Sequence, residues 1–147
     1  HEDMIRMRLD DIAVSGEGKQ FLVLLRPEDE GDARVLPIVI DAMQALAIAA
    51  GRNGETPPRP LTHDLVLSLI EVMGATVAQI EITDLKDGTF FAVLAVERSG
   101  VRHDVDARPS DALAVAVRAG APILVAEQVL EASALQDDTD HEGAVEA

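Results

Sequence analysis

From Met4 to Ile12 the chain alternates, with Ile5, Met7 and Leu9 on one side and Arg6, Arg8 and Asp10 on the other. A period of two marks a half-buried strand. Gln20 to Arg26 instead holds the continuous run Phe21-Leu22-Val23-Leu24-Leu25, the pattern of a strand covered on both faces. Gly16-Glu17-Gly18 links these two segments. Pro27 to Asp32 is a charged turn, and Arg34 to Ile40 returns as a third strand. Together they predict a three-strand meander.

The period then changes. Asp41 has the position and the carboxylate of a helix N-cap. Met43, Leu46, Ala47 and Ala50 follow at spacings of three or four, predicting the buried side of a helix that Gly51 ends. Residues 52–60 form a loop rich in Pro and Gly. Thr62 is the expected cap of a second helix, with Asp64 in its first turn, Leu65, Leu69, Val72 and Met73 as its buried stripe, and Gly74 as its stop. Val77, Ile80, Ile82 and Leu85 predict a strand whose alternation slips around Gln79. Lys86-Asp87-Gly88 is a hairpin turn, Thr89 to Glu97 the returning strand, and Val101 to Ala107 a third strand after Ser99-Gly100. A helix follows, with Pro109 near its first position, Leu113, Val115, Ala116 and Val117 as its apolar residues, and Gly120 as its stop. Pro122 to Val125 reads as extended and Glu127 to Leu135 as a short helix.

Strands grouped with strands predict an α+β fold, mostly antiparallel, in two strand-rich halves that are each followed by helices. The expected organisation is one compact domain over residues 1–135 and a disordered acidic tail over 136–147. A length of 147 residues suits a single domain, and an apolar content of 48% supports a real core. That core must be aliphatic, since there are three Phe and neither Trp nor Tyr. No apolar run reaches the roughly 20 residues of a membrane span, and His1 to Met4 lacks the order of a signal peptide. The absence of cysteine excludes disulfides and thiolate chemistry and makes a cytoplasmic address the default.

Charge narrows the partners. The chain carries 27 acidic against 12 basic residues, a formal −15, and seven of the acids lie from Glu127 onward with no Lys or Arg. The body keeps 20 acids against the same 12 bases, a net of −8, which opposes nonspecific attraction to a polyanion. A polyanion could still be bound through a local Arg cluster or a bound cation, but not through a general field. Ten of the 12 basic residues are Arg, the side chain suited to bidentate phosphate contacts.

Two segments concentrate the chemistry. In Pro57-Pro58-Arg59-Pro60-Leu61-Thr62-His63-Asp64-Leu65 an Arg precedes a helix start that carries His and Asp. Helix N-termini favour anions, Arg59 would clamp one, and imidazole is the side chain suited to moving a proton near neutral pH. Asp104-Val105-Asp106-Ala107-Arg108-Pro109-Ser110-Asp111 repeats the logic. If the two helix starts meet, Asp64, Asp106 and Asp111 offer oxygen ligands for a hard divalent cation. Each segment taken alone is better described as a capped helix, with a surface His in the first and with Ser110 and Asp111 as caps in the second. A third segment, Asp84-Leu85-Lys86-Asp87-Gly88-Thr89, is explained by turn chemistry, with Asp84 and Lys86 as an exposed pair. Gly51-Arg52-Asn53-Gly54 has the GxxG form of KH domains but lacks a helix directly after it. There is no P-loop, GxGxxG, HExxH or EF-hand pattern.

Five runs in order carry a resemblance. Leu36-Pro37-Ile38-Val39-Ile40, the segment from Pro57 to Leu65, the segment from Asp84 to Ala92, the segment from Asp106 to Ala114, and Gly120-Ala121-Pro122-Ile123-Leu124-Val125 resemble the bifunctional nuclease (DNase/RNase) family, over about residues 4–130. The resemblance implies a wedge-shaped α+β homodimer with a groove at its thick end, acting on DNA and RNA as substrates. The motif positions it carries onto this chain are Arg59, Thr62, His63, Asp64, Lys86, Asp87, Asp106, Arg108, Ser110 and Asp111. Val39, Asp41 and Gln44 stand where members often carry Trp, Gly and Glu. If that Glu is a ligand or base, Gln44 weakens or abolishes the activity.

The expected function is hydrolysis of phosphodiester bonds in DNA and RNA with little sequence specificity. Arg59 and Arg108 would hold the phosphate, and His63 would act as acid or base. Asp64, Ser110 and Asp111 complete the expected catalytic set. Asp64, Asp106 and Asp111 are the expected ligands of Mg2+ or Mn2+, and no organic cofactor is expected. The alternative is a noncatalytic dimeric module that binds a small anion or a protein partner.

Overall fold

The computed structural model describes residues 3–16 and 20–136; Glu17 and Gly18 of the first link and the acidic tail beyond Gln136, with His141, lie outside the described residues. Three strands open the chain, β1 (Met4–Val14), β2 (Phe21–Pro27) and β3 (Arg34–Ile40), before helices α1 (Ala42–Arg52) and α2 (Thr62–Val72). The order then recurs as β4 (Ala75–Lys86), β5 (Thr89–Arg98), β6 (Val101–Ala107) and α3 (Pro109–Ala119). The elements β7 (Ile123–Ala126), α4 (Glu127–Ser133) and β8 (Leu135–Gln136) follow.

The strands form one mixed sheet in the order β6-β5-β4-β7-β1-β2-β3-β8. Two antiparallel meanders are joined by β7, which pairs antiparallel with β1 and parallel with β4. Val125, fully buried, is the joint, opposite Ile5 on one side and Ile82 on the other. The fold is therefore the expected α+β class with mostly antiparallel pairing.

Local chemistry accounts for the turns. Asp87 and Gly88 both hold positive φ (53° and 78°), which closes the β4–β5 hairpin with the twist that antiparallel strands need. The slip in alternation around Gln79 is a β-bulge between Val77 and Gln79, where the pairing with β5 shifts. β2 is covered on both faces as its run predicts. Val23 and Leu25 enter the main core, while Leu22 and Leu24 join Val35 in a second cluster. The main core also takes Ile48 of α1, Ile80 and Ile82 of β4, and Leu113 of α3, all fully buried. Each such side chain contributes about 1.5–3 kcal/mol by leaving water.

The helices depart from expectation in ways that shape the site. In α1, Ala45 and Ile48 face the core, whereas Met43 and Leu46 are 74% and 65% exposed. In α2 none of Leu65, Leu69, Val72 and Met73 is buried, and Val72 is 80% exposed. Val66 and Ile70 are the α2 residues that pack against the core. An apolar helical stripe shows which side avoids water but not what covers it. Gly51 does not end α1. It sits in the last turn, where a Cβ would stand 2.6 Å from Nη1 of Arg118. Thr62 does not cap α2 either: Leu61 occupies that position, and Asp64 folds back to accept its backbone N–H at 2.8 Å.

Candidate active site

α1, α2 and the β6–α3 junction surround a groove of about 1150 Å3. Its walls are mainly aliphatic, from Met43, Leu46, Ala47 and Ala50 of α1, Leu61 and Val66 beside and on α2, and Val115 of α3. Its polar residues include His63, Asp106, Arg108 and Asp111.

Pro109 at the first position of α3 leaves Arg108 as the residue before the helix, extended at ψ 146°, and puts Asp111 in the first turn. Asp111 is the hub. Its Oδ1 lies 2.8 Å from Nε2 of His63, and its Oδ2 accepts from Nε of Arg108 at 2.9 Å. Partial burial pushes the Asp111 carboxyl up, but hydrogen bonds from Arg108 and His63 outweigh it and hold the group below its ordinary 3.8. The carboxylate in turn raises the Arg108 guanidinium further. The Arg108 side chain is 69% exposed, and its two Nη groups have no partner among the described residues. Nδ1 of His63 is likewise without a hydrogen-bond partner among them.

Not every expected site residue joins this group. Arg59 is exposed and does not line the groove. Asp64 turns away into a separate cleft of about 370 Å3, where Oδ1 accepts from Nε of Arg118 at 2.7 Å. The Leu61 amide first and Arg118 second hold its carboxyl below 3.8. Ser110 is buried, and its hydroxyl accepts from Nε2 of Gln44 at 2.9 Å, so neither Ser110 nor Asp111 acts as the side-chain cap of α3. Asp106 is exposed at the groove edge. The expected cation set of Asp64, Asp106 and Asp111 is therefore not assembled: among the described residues no three His, Asp or Glu side chains converge as metal ligands. Lys86 and Asp84 pair with each other at 3.5 Å on the hairpin, away from the groove.

Two residues gain structural roles that the sequence reading did not give them. Gln44 completes a reciprocal cap at the start of α1: its backbone N–H donates to Asp41, and its side-chain oxygen accepts from the Asp41 N–H, both at 2.8 Å. The Asp-x-x-Gln spacing was its signal. Both of its polar atoms are engaged, so it belongs to the frame of the groove. Arg118 is the other, a base two turns after Asp111 among apolar neighbours.

The site is thus a His-Asp-Arg group beside a groove that helices α1, α2 and α3 border. Comparison with known proteins identifies the family. The model of the bifunctional nuclease domain matches residues 23–138, and the chain belongs to that family. An uncharacterized protein of Mycobacterium tuberculosis (strain ATCC 25618 / H37Rv) is 44% identical over 141 residues, covering 95% of this chain and 83% of that protein. Bifunctional nuclease 2 of Arabidopsis thaliana is 31% identical over 106 residues, 70% of this chain and 32% of the relative. Bifunctional nuclease 1 of Oryza sativa subsp. japonica is 29% identical over 110 residues, covering 73% and 33%. The chain thus spans about a third of the plant nucleases it matches. Among the described residues no helix is long and apolar enough to cross a membrane.

Proposed function

We propose that this chain hydrolyses phosphodiester bonds of DNA and RNA with little sequence preference. The observation that carries the reading is the chain of bonds His63–Asp111–Arg108 at the groove. Asp111 orients the imidazole through Nε2, leaving Nδ1 for the reaction. Arg108, with Nε committed to Asp111, offers its exposed Nη groups to the nonbridging oxygens of a phosphate. His63 takes a proton from the attacking water, the water oxygen bonds to phosphorus, and the P–O ester bond breaks with its electron pair leaving on the ester oxygen. Solvent protonates that oxygen. Asp64 and Ser110 act in the frame, and Arg59 has no part in this step.

The test is cleavage of labelled single-stranded and duplex DNA and RNA by the purified chain, with and without EDTA, beside a His63→Ala/Arg108→Ala double variant. Cleavage that the double variant loses supports the reading. Equal cleavage by the variant identifies a contaminating nuclease and overturns it. The EDTA arm decides whether a divalent cation takes part.

The same reading includes a homodimer. Leu65, Leu69, Val72 and Met73 make a continuous exposed apolar stripe on α2, outside the groove lining. Stripes of this kind mark contact surfaces. A second copy is the occupant in this proposal, because an apolar face is complementary to itself and two copies can bury it without facing their acidic residues toward each other.

A further inference from the structure

Resting on the assignment of His63 as the proton-transfer group, we infer that Arg118 is its positioning residue and that Gly51 is glycine to make room for it. The Arg118 side chain is only 6% exposed, yet every bond it makes leads to a different part of the helix layer. Nε donates to Asp64 of α2 at 2.7 Å, and Nη1 donates to the carbonyls of Ala47 in α1 and Ala114 in α3, each at 2.8 Å. The space it fills exists because residue 51 has no Cβ, which would meet Nη1 at 2.6 Å and the Val117 side chain at 2.8 Å.

This bears on His63 through helix geometry. Asp111 and Arg118 are seven residues apart on α3, two turns or roughly 10 Å along one face. Their partners on α2, His63 and Asp64, are adjacent. One contact between two helices permits a pivot; two contacts at separated heights fix both position and angle. The Asp64–Arg118 pair therefore holds the first turn of α2 where Nε2 of His63 meets Asp111. Asp64 reinforces this by capping its own helix at Leu61. An arginine suits the task, since its planar group donates in several fixed directions at once whereas lysine presents a single ammonium.

The experiment reads the His63 imidazole directly in the full chain, by proton–nitrogen NMR of the side-chain nitrogens, with His63→Gln to assign the signal among the four histidines. The wild type is expected to show an exchange-protected, downfield Nε2 proton that Asp111→Asn abolishes. Arg118→Gln, Asp64→Asn and Gly51→Ala should each lose it while their circular dichroism remains native. Val129→Ala, a core truncation on α4, should lower the melting temperature and keep the signal. Gly51→Ala is the sharpest variant, because it leaves every polar partner in place and adds one methyl group; it also reads the inference if Arg118→Gln fails to fold. Persistence of the signal in folded Gly51→Ala and Asp64→Asn overturns the inference, as does its absence from the wild type. In cleavage assays Gly51→Ala should lower kcat by about tenfold to a hundredfold at unchanged KM. A wild type that cleaves nothing would remove the nuclease reading alone, since the NMR signature does not depend on turnover.

Discussion

Nε2 of His63 and Oδ1 of Asp111 lie 2.8 Å apart although 48 residues separate them in sequence. The contact joins the first turns of two helices from different halves of the chain, and it is possible because α2 and α3 are packed on the same sheet with their N-termini together. The other oxygen of the carboxylate holds Arg108, so an imidazole and a guanidinium share one anchor.

Shared anchorage predicts strong non-additivity. His63→Gln should lower kcat about 10²–10⁴-fold, the usual worth of a general acid or base. Asp111→Asn should lower it in the wild type and by a smaller factor once His63 is gone, because its hold on the imidazole is then already lost and only its hold on Arg108 remains. Steady-state cleavage of a labelled oligonucleotide by the single and double variants measures this. Additive losses would show that Asp111 has a separate role.

The carboxylates give the stability a definite pH dependence. Asp64 and Asp111 are held below 3.8, and Asp32 and Glu127 are held below 3.8 and 4.5 chiefly by the hydrogen bonds of Arg34. A carboxyl lowered in the native state stabilises the fold fully above its ordinary value, and that contribution is lost as pH falls through the native value. The melting temperature should therefore change little on this account above about pH 5 and fall steeply below about pH 4. Asp64→Asn should melt lower at neutral pH and lose less on acidification. Thermal melts from pH 7 to pH 3 check both slopes.

The strand half of this architecture was legible in the sequence because turns announce themselves locally: Asp87-Gly88 and Ser99-Gly100 both take positive φ where the sequence demands it. The helices were legible as helices but not in what they face. Met43, Leu46, Leu65 and Leu69 have core periodicity and lie at the groove or on the outer surface, since periodicity carries no information about tertiary cover. His63, Arg108 and Asp111, which the structure bonds to one another, stand at helix starts that the sequence marks. Asp64 was misplaced because a carboxylate in the third helical position can serve its own helix cap, as it does for Leu61. Arg118 was invisible because its partners outside its own helix, Ala47 and Asp64, lie 71 and 54 residues away.

Gln44 ties the start of α1 to the start of α3, and its removal should be felt in stability before chemistry. Gln44→Ala takes away the acceptor for the Asp41 amide and the donor to the buried Ser110 hydroxyl. Leaving a buried polar group unpaired costs about 1–3 kcal/mol. A denaturant midpoint reduced accordingly, with an unchanged slope, is the expected result. Gln44→Glu can keep both contacts, because a carboxylate accepts from the amide and the serine hydroxyl can turn to donate. It should therefore retain most of the stability that alanine loses.

The stripe on α2 makes the last prediction. Leu65 and Leu69 are 53% and 55% exposed and lie one turn apart, so both enter any contact that covers this face. Covering a leucine contributes up to about 1.5–3 kcal/mol, less here because half of each is already sheltered. In a symmetric dimer each substitution counts twice. Leu65→Glu/Leu69→Glu adds two like charges on each side of the contact to this loss. Sedimentation equilibrium should show the wild type as a dimer at micromolar concentration and the double variant as a monomer, its dissociation constant raised at least a hundredfold. The monomer should melt with a native-like transition, because neither leucine belongs to the core cluster. A wild type that sediments as a monomer at 100 micromolar would refute the assignment of this face to a second copy.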